Sequence, residues 1–355
     1  MRPTVFLAYS IGDSSVSAFF SKLASQLSLE FDVVIFSDRK NAFPFKSTAI
    51  QVLHWPSPRP TKLKDFVFLR KAIKQHKPQL MLATFGANNL FALAGKLSGV
   101  KHRIATHRSI SSHFKSSVFK VLRKRFVFSW VTQIITNSKA TKQDVMDTFG
   151  VSDAKIKVVY NAVPDPQLEL ERDPNKIAYV GRLSVNKGID VLLDAFQIVV
   201  QKKPELRLEL LGGSETDVAR YKTIALERKI NNSIQFYGSQ PKEKVLETFA
   251  TASFAVVPSL SEGFGFVVIE AFSVRTPVIG SNTGGIKEII RNELDGVLVT
   301  PGDAQILSEE ILALSEDAEK RTRLGANAYD RFLTTFELNR AVEELALYLA
   351  TQIKS

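Results

Sequence analysis

The sequence predicts an α/β protein built from two doubly wound domains. Three observations carry that expectation. The chain has 355 residues, enough for two domains of ordinary size. Short apolar runs alternate with longer amphipathic ones along its whole length. The alternation also restarts after "NAVPDPQLELERDPNK", residues 161–176, where three prolines and several charges read as a linker.

In the first half the strand candidates are "TVFLAYS", "DVVIFSD", "IQVLHW", "QLMLATFG", "RIATHRS", "QIITNS" and "KVVYNAV". In the second they are "KIAYVG", "LRLELLG", "SIQFYG", "FAVVPS", "PVIGSN" and "GVLVTP". Nearly continuous apolar strands separated by helices require parallel sheets covered on both faces. The first helix, 14–29, places Val16, Phe19, Phe20, Leu23, Ala24 and Leu27 on one face after a serine-rich start able to cap it. The expected organisation is an N-terminal domain over 1–165, a C-terminal domain over 166–338, and a last helix, 339–355, returning to the first domain. Ligands of such sheets bind beyond the carboxyl ends of the strands. Two of them face to face would make a deep cleft.

Composition bounds the function. Without cysteine there are no disulfides, no thiolate nucleophile and no cysteine-ligated zinc. The apolar run near the start is too short for a signal peptide, and no stretch approaches the ~20 apolar residues of a membrane span. A cytoplasmic protein is expected. The net charge of +11 is divided unequally: residues 1–165 carry 25 Lys+Arg against 9 Asp+Glu, and residues 166–355 carry 22 against 27. Such asymmetry speaks of partners.

Four strand-end loops hold the candidate chemistry. In "YVGRLSVNKGID", Arg182 and Lys187 lie five apart where a strand gives way to a helix, a place suited to a diphosphate; solvated surface cations are the alternative. The run "VPSLSEGFGFVVIEAF" puts Glu262 in a loop and Glu270 inside a helix, on either side of Gly263, Phe264 and Gly265. The glycines permit close backbone approach to a ligand, and a carboxylate such as Glu270 suits a vicinal diol. Glu270 could instead complement a helix start electrostatically. In "SNTGGIKEII", Thr283, Gly284 and Gly285 offer further amides or a plain turn. In "YSIGDSS", Gly12 and the serines head the first helix.

The motifs "VVYNAVP", "GRLSVNKG", "PSLSEGFGFVVIEA", "SNTGGIKEII" and "DGVLVTPGD", spread over most of 158–303, resemble the signature set of retaining glycosyltransferases of the GT-B fold, family 4. The resemblance implies two Rossmann-like domains across a cleft. It implies that Arg182 and Lys187 bind the diphosphate of a nucleotide-sugar donor. Glu270 would hold the ribose, Glu262 the sugar hydroxyls, and Gly263–Phe264–Gly265 the turn whose amides meet sugar and phosphate. His107, at the end of "RIATHRS", would be the active-site histidine near the transferred sugar. One departure is visible: many relatives carry a Gly-Gly pair after the first strand, where this chain has Gly12 followed by Asp13.

The implied reaction is retaining transfer from a UDP- or GDP-sugar to a glycan or lipid-linked acceptor, in envelope polysaccharide, lipopolysaccharide or glycolipid synthesis. No cofactor or metal is expected, since no two aspartates are separated by one residue and Arg182 and Lys187 can stabilise the leaving diphosphate. An epimerase on the same fold, or a non-catalytic nucleotide-sugar-binding protein, are the alternatives.

Residues 101–131 hold eight Lys/Arg and no acid. Phe114, Val118, Val121, Leu122, Phe126 and Trp130 interleave there with Lys115, Lys120, Arg123, Lys124 and Arg125. This suits an anionic membrane surface at the inner face of the cell membrane. It also fits a helix packed on its own sheet. No nucleic-acid motif accompanies the charge, and no nucleic-acid partner is expected.

Overall fold

The apolar runs become parallel strands in a computed structural model that describes residues 2–12, 14–38, 45–110 and 118–354. The chain divides into two units, Met1–Ala162 with Leu338–Ser355, and Val163–Glu337. The second unit therefore begins at Val163, three residues before the expected boundary at 166 and inside the proline-rich stretch. The Val163 amide donates to the Phe336 carbonyl, and the Tyr329 hydroxyl to Asp165, which ties that stretch to the second unit.

In the first unit the strands are β1 (Thr4–Ala8), β2 (Asp32–Ser37), β3 (Ile50–His54), β4 (Leu80–Ala83), β5 (His102–His107), β6 (Gln133–Thr136) and β7 (Ile156–Val158). Among the described residues they form one parallel sheet in the order β3-β2-β1-β4-β5-β6-β7. Its helices are α1 (Ser15–Leu27), α2 (Leu63–His76), α3 (Asn88–Leu97), α4 (Val118–Trp130) and α5 (Lys139–Phe149). Ser14 caps α1 by accepting from the Ser17 amide, and Phe19, Phe20, Leu23, Ala24 and Leu27 are buried along one face. That face meets the closing helix of the chain, which buries Val342, Leu345 and Leu349 against one side of the sheet. Helices α2 to α5 cover the other side.

The second unit contains β8 (Asp173–Val180), β9 (Arg207–Leu211), β10 (Ile234–Gly238), β11 (Ala252–Val257), β12 (Val278–Ser281) and β13 (Val297–Val299). They pair in parallel, in the order β10-β9-β8-β11-β12-β13. The helices are α6 (Ile189–Lys202), α7 (Glu215–Glu227), α8 (Lys242–Thr251), α9 (Phe266–Phe272), α10 (Ile286–Ile289), α11 (Ala304–Glu316) and α12 (Ala318–Arg331), with α13 (Leu338–Lys354) returning to the first unit. Helices α6, α7 and α11 share one core with the sheet, while α8 and α9 pack on one another and on the strands. Because every strand runs the same way, each sheet gathers all its carboxyl-end loops along one edge.

Candidate functional site

Along that edge of the second unit, two loops touch through their backbones. After β8, Gly181 leads to exposed Arg182, and a single 3-10 turn, Val185–Lys187, delivers Lys187. Gly188 then starts α6 at φ 68°, and a Cβ there would collide with the Pro258 carbonyl oxygen beyond β11. The Leu260 amide donates to the Asn186 carbonyl at 3.0 Å. This contact brings Lys187 and Glu262 together as an ion pair, with side chains 22% and 17% exposed. Arg182 makes no side-chain hydrogen bond or ion pair among the described residues. Its carbonyl is held by the buried Tyr179 hydroxyl at 2.9 Å.

The loop after β12 closes on the same place. Gly284, at φ 47°, lies so close to the Glu262 carbonyl that no side chain fits, and the Gly285 amide donates to that carbonyl at 3.0 Å. The Thr283 amide is spent on the Ser281 carbonyl. These two amides therefore fasten the loop instead of facing a ligand.

Gly265 precedes α9 at φ 112°. Phe264 is buried, with edge contacts to Phe266 at 5.8 Å and Phe336 at 6.1 Å, so its ring anchors the turn in the core. Glu270 is half-buried in α9. Its carboxylate has no hydrogen bond or ion pair among the described residues. Burial raises its pKa against the opposing pull of Lys242. A half-buried acceptor pair without a donor is costly unless something supplies one.

The first unit holds the other two candidates. The Gly12 amide donates to the Ser17 hydroxyl at 2.8 Å, engaging it within its own loop; Asp13 lies outside the described residues. His107 ends β5 with its imidazole buried edge-on against Phe128 at 6.0 Å and Phe149 at 5.7 Å. Burial, then Lys124, lower its pKa to about 4, and Nε2 has no hydrogen-bond partner among the described residues. The alternation of the strand sends the next residue the other way. Arg108 lies over the Phe20 ring at 5.8 Å and donates to the Asn161 side chain.

Sequence reasoning missed Arg108 and Asn161, although strand alternation marked the former. It also missed Gly212 and Gly213 after β9, where the Gly212 amide bonds the Gly238 carbonyl at 2.6 Å and the Gly181 amide bonds Leu211 at 2.9 Å. A glycine pair at a strand end was the available signal.

Helix α4 divides its apolar side chains between two faces, with Val121 and Trp130 packed against the core that Val127 and Phe128 join. Only Val127 and Phe128 are buried, whereas Phe119, Leu122 and Phe126 are 75%, 56% and 60% exposed. An apolar stripe thus faces outward among Arg123 and Arg125. Phe114 and Lys115, also part of the predicted pattern, lie outside the described residues. Among the described residues no helix is long and apolar enough to cross a membrane.

Comparison with known proteins gives consistent matches. Residues 18–165 match the family described as Glycosyltransferase Family 4, and residues 164–331 the family described as Glycosyl transferases group 1. A glycosyltransferase of Methanocaldococcus jannaschii is 32% identical over 241 residues, covering 66% of this chain and 64% of that protein. The D-inositol 3-phosphate glycosyltransferase of Corynebacterium efficiens is 30% identical over 159 residues, 43% of this chain and 38% of that protein. The matches thus span only part of these relatives' own lengths. Among solved structures, Anabaena Alr3699/HepE in complex with UDP superposes with a TM-score of 0.83 at 19% identity, covering 98% of this chain and 100% of that one. The same protein has been solved with UDP-glucose. At that identity the likeness establishes the fold.

Proposed function

This chain belongs to the group 1, family 4 glycosyltransferases of the GT-B fold, and from that premise we propose that it moves a sugar from a nucleotide diphosphate to an acceptor hydroxyl. The observation that carries the reading is one edge of the second sheet. There the Arg182 guanidinium, unpaired among the described residues, sits in the same loop as Lys187, whose ammonium pairs with Glu262. Two cations at one strand-end edge match a diphosphate leaving group, whose charge grows as the glycosidic bond breaks. On donor binding Lys187 exchanges Glu262 for a phosphate oxygen. Glu262 is then free to accept hydrogen bonds from the sugar hydroxyls. Glu270 supplies the acceptor pair for the ribose diol.

The transfer retains the anomeric configuration. The acceptor oxygen bonds to the anomeric carbon on the face the diphosphate leaves, and its proton passes to the departing phosphate oxygen. Arg182 and Lys187 carry the leaving-group charge without a metal. A histidine with a pKa of about 4 is neutral at pH 7, so His107 acts as a hydrogen-bonding group instead of a proton carrier.

The first unit takes the acceptor. The exposed stripe of α4 amid cations supports docking on an anionic membrane, and with it a lipid-linked acceptor. UDP-glucose is the first donor to try, followed by other UDP- and GDP-sugars. The matching donor raises the melting temperature and is slowly hydrolysed without acceptor, equally well in excess chelator. A panel in which no nucleotide-sugar shifts the melting temperature overturns the assignment. Recovery that is equal on phosphatidylcholine and phosphatidylglycerol vesicles removes the membrane part alone.

A further inference from the structure

We propose that the first unit binds an anionic phospholipid in a groove between α2 and the turn that follows α3, at the amino ends of β4 and β5. The groove encloses about 820 Å3. Its walls are apolar, formed by Phe66, Val67 and Ile73 of α2 and by Val100 after α3. Its rim is cationic: Arg70, Lys71 and Lys74 line it from α2, Lys77 from the end of that helix, and Lys101 from the approach to β5.

None of the five makes a side-chain hydrogen bond or ion pair among the described residues. Between Asp38 and Asp144 the chain's only acid is Asp65, and it is buried at the start of α2, where it accepts the Lys62 amide at 2.9 Å. Apart from this buried Asp65, which is engaged at the helix start, the rim has no acidic residue on its own helix or on the neighbouring one. Lys74 lies three residues from Lys71 and four from Arg70, spacings at which like charges on a helix repel. Lys77 is held at φ 46°, in the left-handed conformation that usually falls to glycine at a helix end. Both features cost stability in the empty protein, and an anion relieves the repulsion.

The apolar walls decide which anion. Free phosphate would use the rim and leave the walls bare. A phospholipid uses both, with its phosphate among the cations and its first acyl carbons against Phe66 and Val67. The outer side of α2 continues the same surface, since Leu63 and Val67 are exposed one helical turn apart. The site lies at the amino ends of the strands, away from the carboxyl-end loops that doubly wound sheets use for substrates. It does not rest on the transferase reading.

The test uses monomeric dihexanoyl phosphatidylglycerol and the full-length protein, followed by thermal shift and calorimetry. The short-chain lipid raises the melting temperature. Glycerol 3-phosphate and dihexanoyl phosphatidylcholine do not. In the Lys71→Gln/Lys74→Gln variant, affinity for the anionic lipid falls about thirtyfold, near fivefold for each cation. The Phe119→Ser/Phe126→Ser variant of α4 keeps full affinity, which separates the groove from the α4 stripe. A shift of equal size with glycerol 3-phosphate or with the neutral lipid, or unchanged affinity in the Lys71→Gln/Lys74→Gln variant, overturns the proposal.

Discussion

Replacing Glu270 by glutamine separates a ribose-binding carboxylate from one that merely complements the start of a helix. Glutamine keeps the shape and removes the charge. A hydrogen bond to a charged group contributes ~1.5–3 kcal/mol, and a neutral one ~0.5–1.5 kcal/mol. Two bonds from a vicinal diol therefore lose about 2 kcal/mol, or roughly thirtyfold in the dissociation constant of the nucleotide. The empty protein should respond with the opposite sign. Burial raises the Glu270 pKa above its ordinary value of 4.5, so the native state holds the proton more tightly than the unfolded state. The associated stability is complete below the unfolded pKa and is lost as pH rises through the folded one. That contribution falls as pH rises, while the glutamine variant has none to lose.

The variant should accordingly be at least as stable as wild type at pH 7, with an advantage that shrinks on acidification. Calorimetric titration with the nucleoside diphosphate and with its 2′,3′-dideoxy analogue completes the test. The thirtyfold loss is expected for the first ligand and no loss for the second. Equal losses for both, or a destabilised empty protein, would mean that Glu270 serves the helix and the ribose assignment is wrong.

Three further outcomes follow from the same geometry. Arg182→Ala should lower turnover by ~10²–10³-fold, as expected for one donor to a developing oxyanion, and leave the urea midpoint unchanged because the side chain is exposed and unpaired among the described residues. Gly284→Ala forces a Cβ onto the Glu262 carbonyl and should cost ~1–3 kcal/mol in urea unfolding, with weaker donor binding as the loop shifts. His107, with a folded pKa of about 4 against 6.5 unfolded, stabilises the protein while neutral. That contribution is present above pH 6.5 and lost as pH falls toward 4, a difference of about 3 kcal/mol that should vanish in His107→Gln.

Much of the architecture was legible because it depends on local pattern. Apolar runs such as "TVFLAYS" are buried from Val5 to Ala8 whatever lies beside them, and the apolar face read for the first helix is the one α1 buries against α13. The loops were less legible because their partners are distant in sequence. Nothing near Gly285 shows that its amide will donate to the Glu262 carbonyl in another loop. The burial of His107 depends on rings from α4 and α5. Residues with apolar spacing along α4 fit an inward or an outward face equally well, and the structure divides them, with Val127 and Phe128 inward and Phe119, Leu122 and Phe126 outward.

The Lys187–Glu262 pair shows how one contact can serve both the empty and the loaded state. Half-buried side chains of opposite charge repay little beyond their own desolvation, so the pair contributes modestly and is readily exchanged. Removing Lys187 alone should hurt more than removing both, since it strands a half-buried carboxylate. A double-mutant cycle with Lys187→Ala and Glu262→Ala should therefore give a coupling of about 1 kcal/mol in urea unfolding of the empty protein. With saturating nucleotide-sugar each side chain has a different partner, and the coupling should disappear. A coupling that persists undiminished in the loaded protein would show that the pair never opens, and that neither residue meets the donor as assigned.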